Sequence, residues 1–508
     1  MAELDPSFVA LPLTTLADAA LGRAAELGAE HADFRLERIR TAMLSIRDAA
    51  LDSSSDSEDL GLAVRVIHDG AWGFASGIAR TPEAAAALAE QAIATAKVSR
   101  VLSSEPVRLA PEPAYPGASW ISAYDVNPFD IPERERVARM VELSERLLAG
   151  DGVDHADAML MQVIENKFYA DSSGTSTTQQ RVRIHPQFTG VHVDRAAGAF
   201  YSMRTLAPPV GRGWEYLTGT GWDFDAELAE LPGLLAEHAK APSVQAGSYD
   251  LVIDPSNLWL TIHESIGHAT ELDRALGYEA AYAGTSFATL DKLGSLAYGS
   301  AALNVVGDRT VEHGLATIGF DDEGVQTQSF DIVSGGTLVG YQLNRQMAQD
   351  NNLAGVPGSP PRSNGCAFAD SSGHIPLQRM ANVSLQPVPD GPSTEELISR
   401  VERGIYILGD RSWSIDMQRY NFQFTGQRFY AIEDGKLAGQ LRDVAYQATT
   451  TDFWGSMEAV GGPQTYVLGG AFNCGKGQPG QVAAVSHGCP SALFRSVNVL
   501  NTQAEGGR

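Results

Sequence analysis

Residues 249–270, YDLVIDPSNLWLTIHESIGHAT, contain the transition that decides the fold of this chain. Tyr249 to Ile253 is an apolar run typical of a buried strand, and it ends at the turn residues 254–256, DPS. Asn257 to Thr270 follows and is predicted to form a helix that contains two histidines flanking a glutamate. Functional side chains are commonly placed on segments that a rigid scaffold positions. We therefore expect the chemistry of the protein at this helix.

The motif His263-Glu264-x-x-x-His268 predicts a metal site. Histidines ligate zinc, and a carboxylate between them can accept a proton from water. In the common H-E-x-x-H pattern the histidines are four residues apart on one helical face, whereas here they are five apart. On a regular α-helix that spacing separates them by about 140°. We therefore predict a one-residue π bulge, which Gly267 would tolerate at the least steric cost.

A catalytic zinc usually has three protein ligands and one open position, so the motif lacks a third ligand. The side chains with suitable chemistry are Glu271, Asp273, Cys366, Cys474, His487 and Cys489. Thiolate is a strong zinc ligand, and Lys476 could favour the thiolate of Cys474. The residues alone do not show whether Cys474 or Cys489 is the third ligand. Cys489 could instead be a small buried residue with no role in metal binding.

The rest of the chain predicts the α+β class with two domains. Residues 1–243 form an α/β N-terminal domain of helices and antiparallel strands, and residues 244–508 form a mainly β C-terminal domain that carries the HExxxH helix. The Pro-containing stretch from Ala241 to Gly247 is the predicted boundary.

Periodicity and turn residues predict the elements of both domains. Helices are expected at Thr14–Leu27, from Pro82, from Pro132 to about Leu148, and at Asp223–Lys240 with an interruption at Pro232-Gly233. Strands are expected at Asp33–Asp48, Leu62–Ile67, Ala158–Ile164 and Val182–Ile184, with a solvated loop at Asp52–Asp59. From about Asn304 the chain is predicted to be β-rich, interrupted by one helix at Ser393–Arg403 that begins with a capping box of Ser393 and Glu396.

Composition excludes several classes of protein. Hydrophobic residues make up 44% of the chain and charged residues 19%, which indicates a folded protein with a sizeable core. The net charge of −25 and the lack of a basic run argue against nucleic-acid binding. Three cysteines are too few for a disulfide framework. With no secretory leader pattern and no run of about 20 apolar residues, we expect a cytoplasmic protein without membrane contact.

Residues 263–288, HESIGHATELDRALGYEAAYAGTSFA, resemble the H-E-x-x-x-H region of the TldD/PmbA family of metallopeptidases, in the TldD branch that retains the metal site. Three further stretches resemble the family in the same order: residues 321–324 (DDEG), 376–382 (PLQRMAN) and 473–476 (NCGK). The resemblance is clearest from Tyr249 to about Leu493 and looser in the N-terminal half.

This resemblance implies that Zn²⁺ is held by His263, His268 and Cys474, with Glu264 as the catalytic carboxylate. Cys489 matches no ligand of the family. The resemblance also implies a peptide substrate, a role in peptide maturation or protein turnover, and a homodimer or a heterodimer with a metal-free paralogue. Asp321, Asp322 and Arg379 match family stretches, and we expect turn contacts or internal ion pairs for them.

Two other functions are compatible with the sequence. One is a non-catalytic, peptide-binding partner subunit of a TldD/PmbA-type dimer, although that branch lacks the metal motif. The other is a structural zinc site, which would need a fourth protein ligand such as Glu271 or His487.

Overall fold

The structure is a computed structural model that describes residues 3–354, 360–477 and 480–503. It combines helices and strands, as predicted, around two seven-stranded sheets. The strands of the N-terminal half are β1 (His31–Arg47), β2 (Ala50–His68), β3 (Ala71–Gly77), β4 (Ala118–Ile121), β5 (His155–Asp171), β6 (Ser176–Asp194) and β7 (Ala199–Arg204). Its helices are α1 (Pro6–Val9), α2 (Leu13–Glu26), α3 (Pro82–Leu102), α4 (Glu133–Leu148) and α5 (Phe224–Lys240).

The first sheet is built from two long antiparallel hairpins, β1–β2 and β5–β6, which pair with each other through β1 and β5. The strand order is β3-β2-β1-β5-β6-β4, and β7 pairs with the second half of β6. Helices α2 and α3 cover one part of this sheet, and α4 and α5 cover another, each pair enclosing its own hydrophobic cluster.

Strand β1 is buried on two faces of different chemistry. Phe34 and Leu36 pack into the cluster beneath α2 and α3. Because side chains alternate along a strand, Arg35 and Glu37 point to the opposite face, where they are 3% and 2% exposed. Arg35 Nη1 lies 3.2 Å from Asp322 Oδ2 in the C-terminal half. Charged side chains therefore join the first sheet to the rest of the molecule.

Residues 52–59 are not the loop that their composition predicted. They belong to β2, in which Ser57 pairs with Thr41 of β1, and the hairpin turns earlier, at Asp48, whose φ is +47°. Strand β3 pairs with β2 only from Leu62 onward, so this segment is an edge strand exposed on both faces. Its Ser, Asp and Glu content therefore reflects solvent exposure and not loop structure.

The C-terminal half contains the second large sheet and several short ones. Its strands are β8 (Gly247–Ile253), β9 (Val305–Asp308), β10 (Ser329–Ser334), β11 (Thr337–Leu338), β12 (Ala367–Phe368), β13 (Leu377–Gln378), β14 (Asn382–Leu385), β15 (Arg403–Ile415), β16 (Asn421–Glu433), β17 (Lys436–Leu441), β18 (Val444–Thr449), β19 (Met457–Val460), β20 (Val467–Lys476), β21 (Gln481–Cys489) and β22 (Ala492–Asn501). Its helices are α6 (Pro255–Ile262), α7 (Leu272–Ala275), α8 (Arg345–Asp350), α9 (Thr394–Ile398) and α10 (Thr450–Gly455).

The second large sheet closes on itself. The order is β15-β8-β22-β18-β16-β17, and β15 also pairs with β16, so that five strands form a ring. Helix α6 leaves the end of β8, as the sequence predicted, and carries the histidine motif toward the hairpin β20–β21. The division of the chain into two domains at residue 243 remains a prediction.

Two helical predictions require correction. Helix α5 runs without interruption through Pro232, whose ring packs against Gly150 while Leu231 and Leu235 are buried beside it. This packing compensates for the backbone hydrogen bond that proline removes. Helix α9 has the predicted capping box but ends at Ile398 because the chain enters β15, and α8 and α10 are additional helices in the β-rich region.

Within the described residues, no helix combines the length and the apolar character needed to cross a lipid bilayer.

Candidate metal centre

The five-residue histidine spacing is accommodated by a π turn. Helix α6 ends at Ile262, and residues 263–267 form the π turn, in which the N–H of His268 donates to the carbonyl oxygen of His263. The extra residue per turn brings the two imidazoles onto one side, with ring centroids 4.6 Å apart. The predicted bulge is therefore present.

Gly267 leaves space for a neighbouring side chain and is not required for backbone freedom. Its φ of −53° and ψ of −59° are ordinary helical values that any residue can adopt. A Cβ atom at this position would lie 2.6 Å from Met380 Sδ. The glycine therefore permits close approach of Met380, and the π turn itself does not depend on it.

Cys474 of β20 completes a group of three possible metal ligands with His263 and His268. One ligand atom from each residue lies within 4.8 Å of the others, and all three side chains are buried. The Sγ atom of Cys474 is 3.7 Å from His268 Nε2. The pairing of β20 with β21 shifts register between Ala471 and Cys474, an irregularity that can re-aim a side chain.

Hydrogen bonds from behind orient both imidazoles. His268 Nδ1 lies 2.8 Å from Glu271 Oε2, and because an ionised carboxylate only accepts, this nitrogen donates. His263 Nδ1 lies 2.7 Å from His487 Nε2, and His487 Nδ1 donates to the carbonyl oxygen of Val383 at 2.8 Å. His487 Nε2 must then accept from His263. In both candidate ligand histidines Nδ1 carries the proton, which leaves Nε2 as the free lone pair.

The protonation states of these side chains suit metal binding. Burial lowers the pKa of His263 and His268 and lowers that of His487 well below its usual value, which favours neutral imidazoles. Burial opposes ionisation of Cys474, whereas the charge and hydrogen bond of a protonated His268 and the charge of Arg379 lower the pKa of the thiol. When His268 is neutral, Arg379 is the charge that favours the thiolate.

Lys476 does not act on Cys474 as its sequence position suggested. Its Nζ lies 3.1 Å from Glu271 Oε1 and 2.7 Å from Asp273 Oδ2, and it also donates to the Gln378 carbonyl. Lys476 therefore neutralises the carboxylates behind His268. Neither Glu271 nor Asp273 belongs to the set of side chains whose donor atoms lie close enough together to share one metal ion.

The other two cysteines lie outside the group of ligand atoms. Cys366 and Cys489 are fully buried, and Cys489 Sγ lies 3.7 Å from the carbonyl oxygen of Pro255. Burial raises the pKa of both thiols, that of Cys366 to about 12. Both are therefore small buried residues held as neutral thiols.

The remaining residues that matched the family have structural contacts. Asp321 accepts backbone N–H groups of Glu323 and Val325, each at 2.9 Å, which is turn chemistry. Asp322 pairs with Lys167 at 2.8 Å. Arg379 donates to the carbonyl oxygens of Cys474 and Gln481 and so anchors the hairpin that carries the thiol.

Glu264 lies beside the three ligand residues and pairs with a residue that the sequence did not single out. Its Oε2 atom is 2.6 Å from Nη1 of Arg419, which lies in the turn between β15 and β16. The arginine has no recognisable motif, so only the folded chain identifies it. His487, which the sequence offered as a further ligand, lies behind His263 and hydrogen-bonds to its Nδ1 atom.

All four predicted site residues line one cavity of about 800 Å³. Its walls come from both halves of the chain: β5 and β6 with the segment 204–209, and opposite them α6, the β15–β16 hairpin and β20. Trp259 and Phe472 provide apolar surface, and Arg204 and Asp410 form an ion pair at 2.6 Å. A cavity of this size can hold a ligand of several residues.

Two family models match the chain. The model described as the PmbA/TldA metallopeptidase C-terminal domain matches residues 246–501, and the model of PmbA/TldA metallopeptidase domain 1 matches residues 32–96. The chain belongs to the PmbA/TldD metallopeptidase family. The first match covers the motif helix and the Cys474 hairpin together.

Relatives from archaea align over nearly the whole chain. A metalloprotease of Methanothermobacter thermautotrophicus is 26% identical over 481 residues, covering 93% of this chain and 96% of the relative. A zinc metalloprotease TldD homolog of Saccharolobus solfataricus is 24% identical, covering 94% and 98%. At these identities the names support a metallopeptidase family member without showing activity for this chain.

Solved structures share the fold. A candidate modulator of a DNA gyrase from Thermotoga maritima has a TM-score of 0.74 at 16% identity, with 96% of this chain and 100% of the other covered. TldE from Thermococcus kodakarensis has a TM-score of 0.69 at 16% identity, covering 95% and 99%. This chain therefore shares its fold with these two proteins over at least 95% of its length.

Proposed function

We propose that the protein is a zinc-dependent peptidase that hydrolyses peptide bonds of short or unfolded peptides. The observation that carries the proposal is the convergence of His263, His268, Cys474 and Glu264 on the wall of one cavity. The metalloprotease names of the family and of the aligned relatives support the same activity. A role in peptide maturation or protein turnover belongs to this proposal as well.

The donor set fits zinc. Tetrahedral zinc with nitrogen and sulfur ligands places donor atoms about 3.5 Å apart. Cys474 Sγ and His268 Nε2 are 3.7 Å apart, and all three donor atoms lie within 4.8 Å of one another, so a small contraction would bring them onto one ion. Two imidazole nitrogens and a cysteine sulfur are donors that suit zinc better than calcium or magnesium. His263, His268 and Cys474 would therefore hold the ion and leave a fourth position open to the cavity.

Bound zinc would supply Lewis acidity that promotes ionisation of water near neutral pH. Glu264 accepts the proton of the attacking water and passes a proton to the leaving amine. Glu271 and His487 hold the two imidazoles in the required tautomer throughout.

An extended peptide would bind along β20. In the described part of the chain, this strand pairs only with β21, and Val467 and residues 469–475 line the cavity. The free edge offers backbone donors and acceptors to a peptide in β conformation. A Cβ atom at Gly469 would lie 2.7 Å from the Trp259 ring, and one at Gly470 would lie 2.4 Å from the carbonyl oxygen of Val485, so these glycines allow β20 to pack closely against α6 and β21.

The first test replaces Glu264 with Ala. We expect peptide cleavage to fall by at least about 10²-fold, because the general base is lost, while zinc content and thermal stability stay near wild type. Cys474→Ser should sharply lower zinc content measured by atomic absorption, and Cys489→Ser is the matched control that should retain it. Cleavage unchanged by Glu264→Ala, or zinc lost only through Cys489→Ser, would contradict the assignment.

Two observations weigh against the alternative functions. A structural zinc site needs a fourth protein ligand, but Glu271 and His487 are already bonded to the ligand histidines. A non-catalytic partner subunit would have no need of the complete set of three ligands with a carboxylate beside it. A homodimer, or a heterodimer with a metal-free paralogue, remains part of the proposal on the strength of the family resemblance.

A further inference from the structure

We propose that Arg419 is a positioning residue that orients Glu264 for proton transfer, an inference that rests on the proposed peptidase function. Arg419 Nη1 lies 2.6 Å from Glu264 Oε2, and both side chains line the cavity that contains the three metal ligands. The two residues are 155 positions apart in sequence. The pair is largely buried, with 14% of the arginine side chain and 6% of the glutamate side chain exposed.

The ion pair distinguishes the two oxygens of Glu264. Oε2 accepts from Arg419, whereas Oε1 has no hydrogen-bond partner among the residues that the structure describes. A carboxylate tied at one oxygen has a fixed rotamer and presents the other oxygen in one direction. That arrangement is what a base needs if it is to meet water in a single geometry.

The backbone of Arg419 is held in an unfavourable conformation. Its φ is +63°, in the left-handed region that glycine adopts with the least strain. The Asp416 carboxylate accepts the N–H groups of Tyr420 and Asn421, and Thr450 Oγ1 donates to the carbonyl oxygen of Arg419 at 2.7 Å. These bonds over-determine the turn. Strained residues of this kind cluster at functional sites, and here the strained residue contacts the candidate general base.

A second anchor fixes the guanidinium from the opposite side. Arg419 Nη2 donates to the carbonyl oxygen of Ala283 at 3.2 Å. The same segment docks on the turn, because Thr285 N donates to the carbonyl oxygen of Met417 at 2.7 Å. At Gly284, whose φ is +88°, a Cβ atom would lie only 2.2 Å from that oxygen. Arg419 is therefore built into the wall of the cavity and does not move freely within it.

The decisive variant is Arg419→Gly, because glycine removes the side chain without adding strain at φ +63°. The substrate is the best-cleaved member of a quenched fluorescent octapeptide library. We expect kcat to fall by about 10- to 100-fold, since a displaced catalytic group has an effect of this size, with KM and zinc content unchanged. Arg419→Lys should have a higher kcat than Arg419→Gly, because lysine restores the positive charge. It should stay below wild type, because a single ammonium nitrogen replaces the planar fork of the guanidinium.

The matched control is Arg495→Ala, which removes an arginine–carboxylate contact of the same 2.6 Å length, to Asp250, outside the cavity lining. It should leave kcat unchanged. Wild-type kcat in Arg419→Gly, or a rise in KM alone, overturns the positioning role. If Arg419→Gly does not fold, kcat is compared among the wild type, Arg419→Lys and Arg419→Gln. Equal kcat values in these three proteins would overturn the positioning role.

These outcomes also separate the inference from the function on which it rests. Loss of cleavage in Glu264→Ala with normal cleavage in Arg419→Gly rejects only the role of Arg419. Zinc-loaded wild-type protein that cleaves no member of the library rejects the peptidase proposal itself.

Discussion

At the scale of single residues, the candidate metal centre depends on the side chains behind the ligands. Glu271 fixes the tautomer of His268 and is itself 3.1 Å from Lys476. The interaction with Lys476 and His268 outweighs burial and holds the pKa of Glu271 well below its usual range, so its carboxylate stays charged. A charged acceptor strengthens the ligand nitrogen of the imidazole more than a neutral one does.

We predict that Glu271→Gln weakens zinc binding by about 10- to 100-fold, the usual effect of losing a carboxylate behind a ligand histidine. The amide still accepts a hydrogen bond from His268 but no longer carries a charge. Competition with a chromogenic chelator measures the dissociation constant. Glu458→Gln, which alters a surface ion pair with Arg495, is the control, and equal zinc affinity in the two variants would contradict this role of Glu271.

At the scale of elements, the site is the meeting point of a π turn and a two-stranded hairpin. The π turn comes from the helix that follows β8, and the thiol comes from β20 more than 200 residues later. Arg379, 1% exposed, bridges to the hairpin by donating to carbonyl oxygens on both of its strands. The position of Cys474 relative to the histidines therefore depends on this arginine.

We predict that Arg379→Gln lowers the free energy of unfolding by about 2–3 kcal/mol, because charged hydrogen bonds to two buried carbonyl groups are lost. Amide hydrogen exchange should accelerate in residues 467–489, and zinc affinity should fall with it. Urea unfolding and exchange mass spectrometry measure both effects. The same exchange rates in this hairpin as in wild type would show that other contacts hold it.

At the scale of the whole molecule, a buried group of charges joins the first sheet to the C-terminal half. Lys167 of β5 lies 2.8 Å from Asp322, 2.9 Å from Glu37 and 3.5 Å from Glu165. Burial opposes its charge, but Asp322 and Glu37 outweigh burial and raise the pKa of Lys167. Because the pKa is raised, its contribution to stability is present below the ordinary lysine value and is lost only as pH rises through the folded-state value.

We predict that Lys167→Met lowers the free energy of unfolding at pH 7 by about 3–5 kcal/mol, since it leaves buried carboxylates without their partner. Urea denaturation followed by tryptophan fluorescence measures the change. Lys436→Met, at an exposed position, should change stability by less than about 0.5 kcal/mol. Equal effects of the two substitutions would mean that the buried charges are compensated in another way.

Much of the local structure was predictable from the sequence. The bounds of α2 to within one residue, the bounds of α4, the Thr81–Pro82 start of α3 and the capping box at Ser393 were predicted, because they depend on local sequence. The π turn was predictable because only a bulge brings His263 and His268 to one side. Predictions were wrong where tertiary contacts overrode composition, as at residues 52–59 and at Pro232.

The sequence by itself determined two of the three predicted metal ligands, the candidate general base and the bulge between them, because these residues are neighbours on one helix. Cys474 came from resemblance, and Arg419 from the folded chain alone. Both contacts close loops of more than 150 residues, and no local periodicity encodes such pairings. Only packing of the hairpin tips against the π turn decides which distant thiol and which distant cation meet the histidine motif.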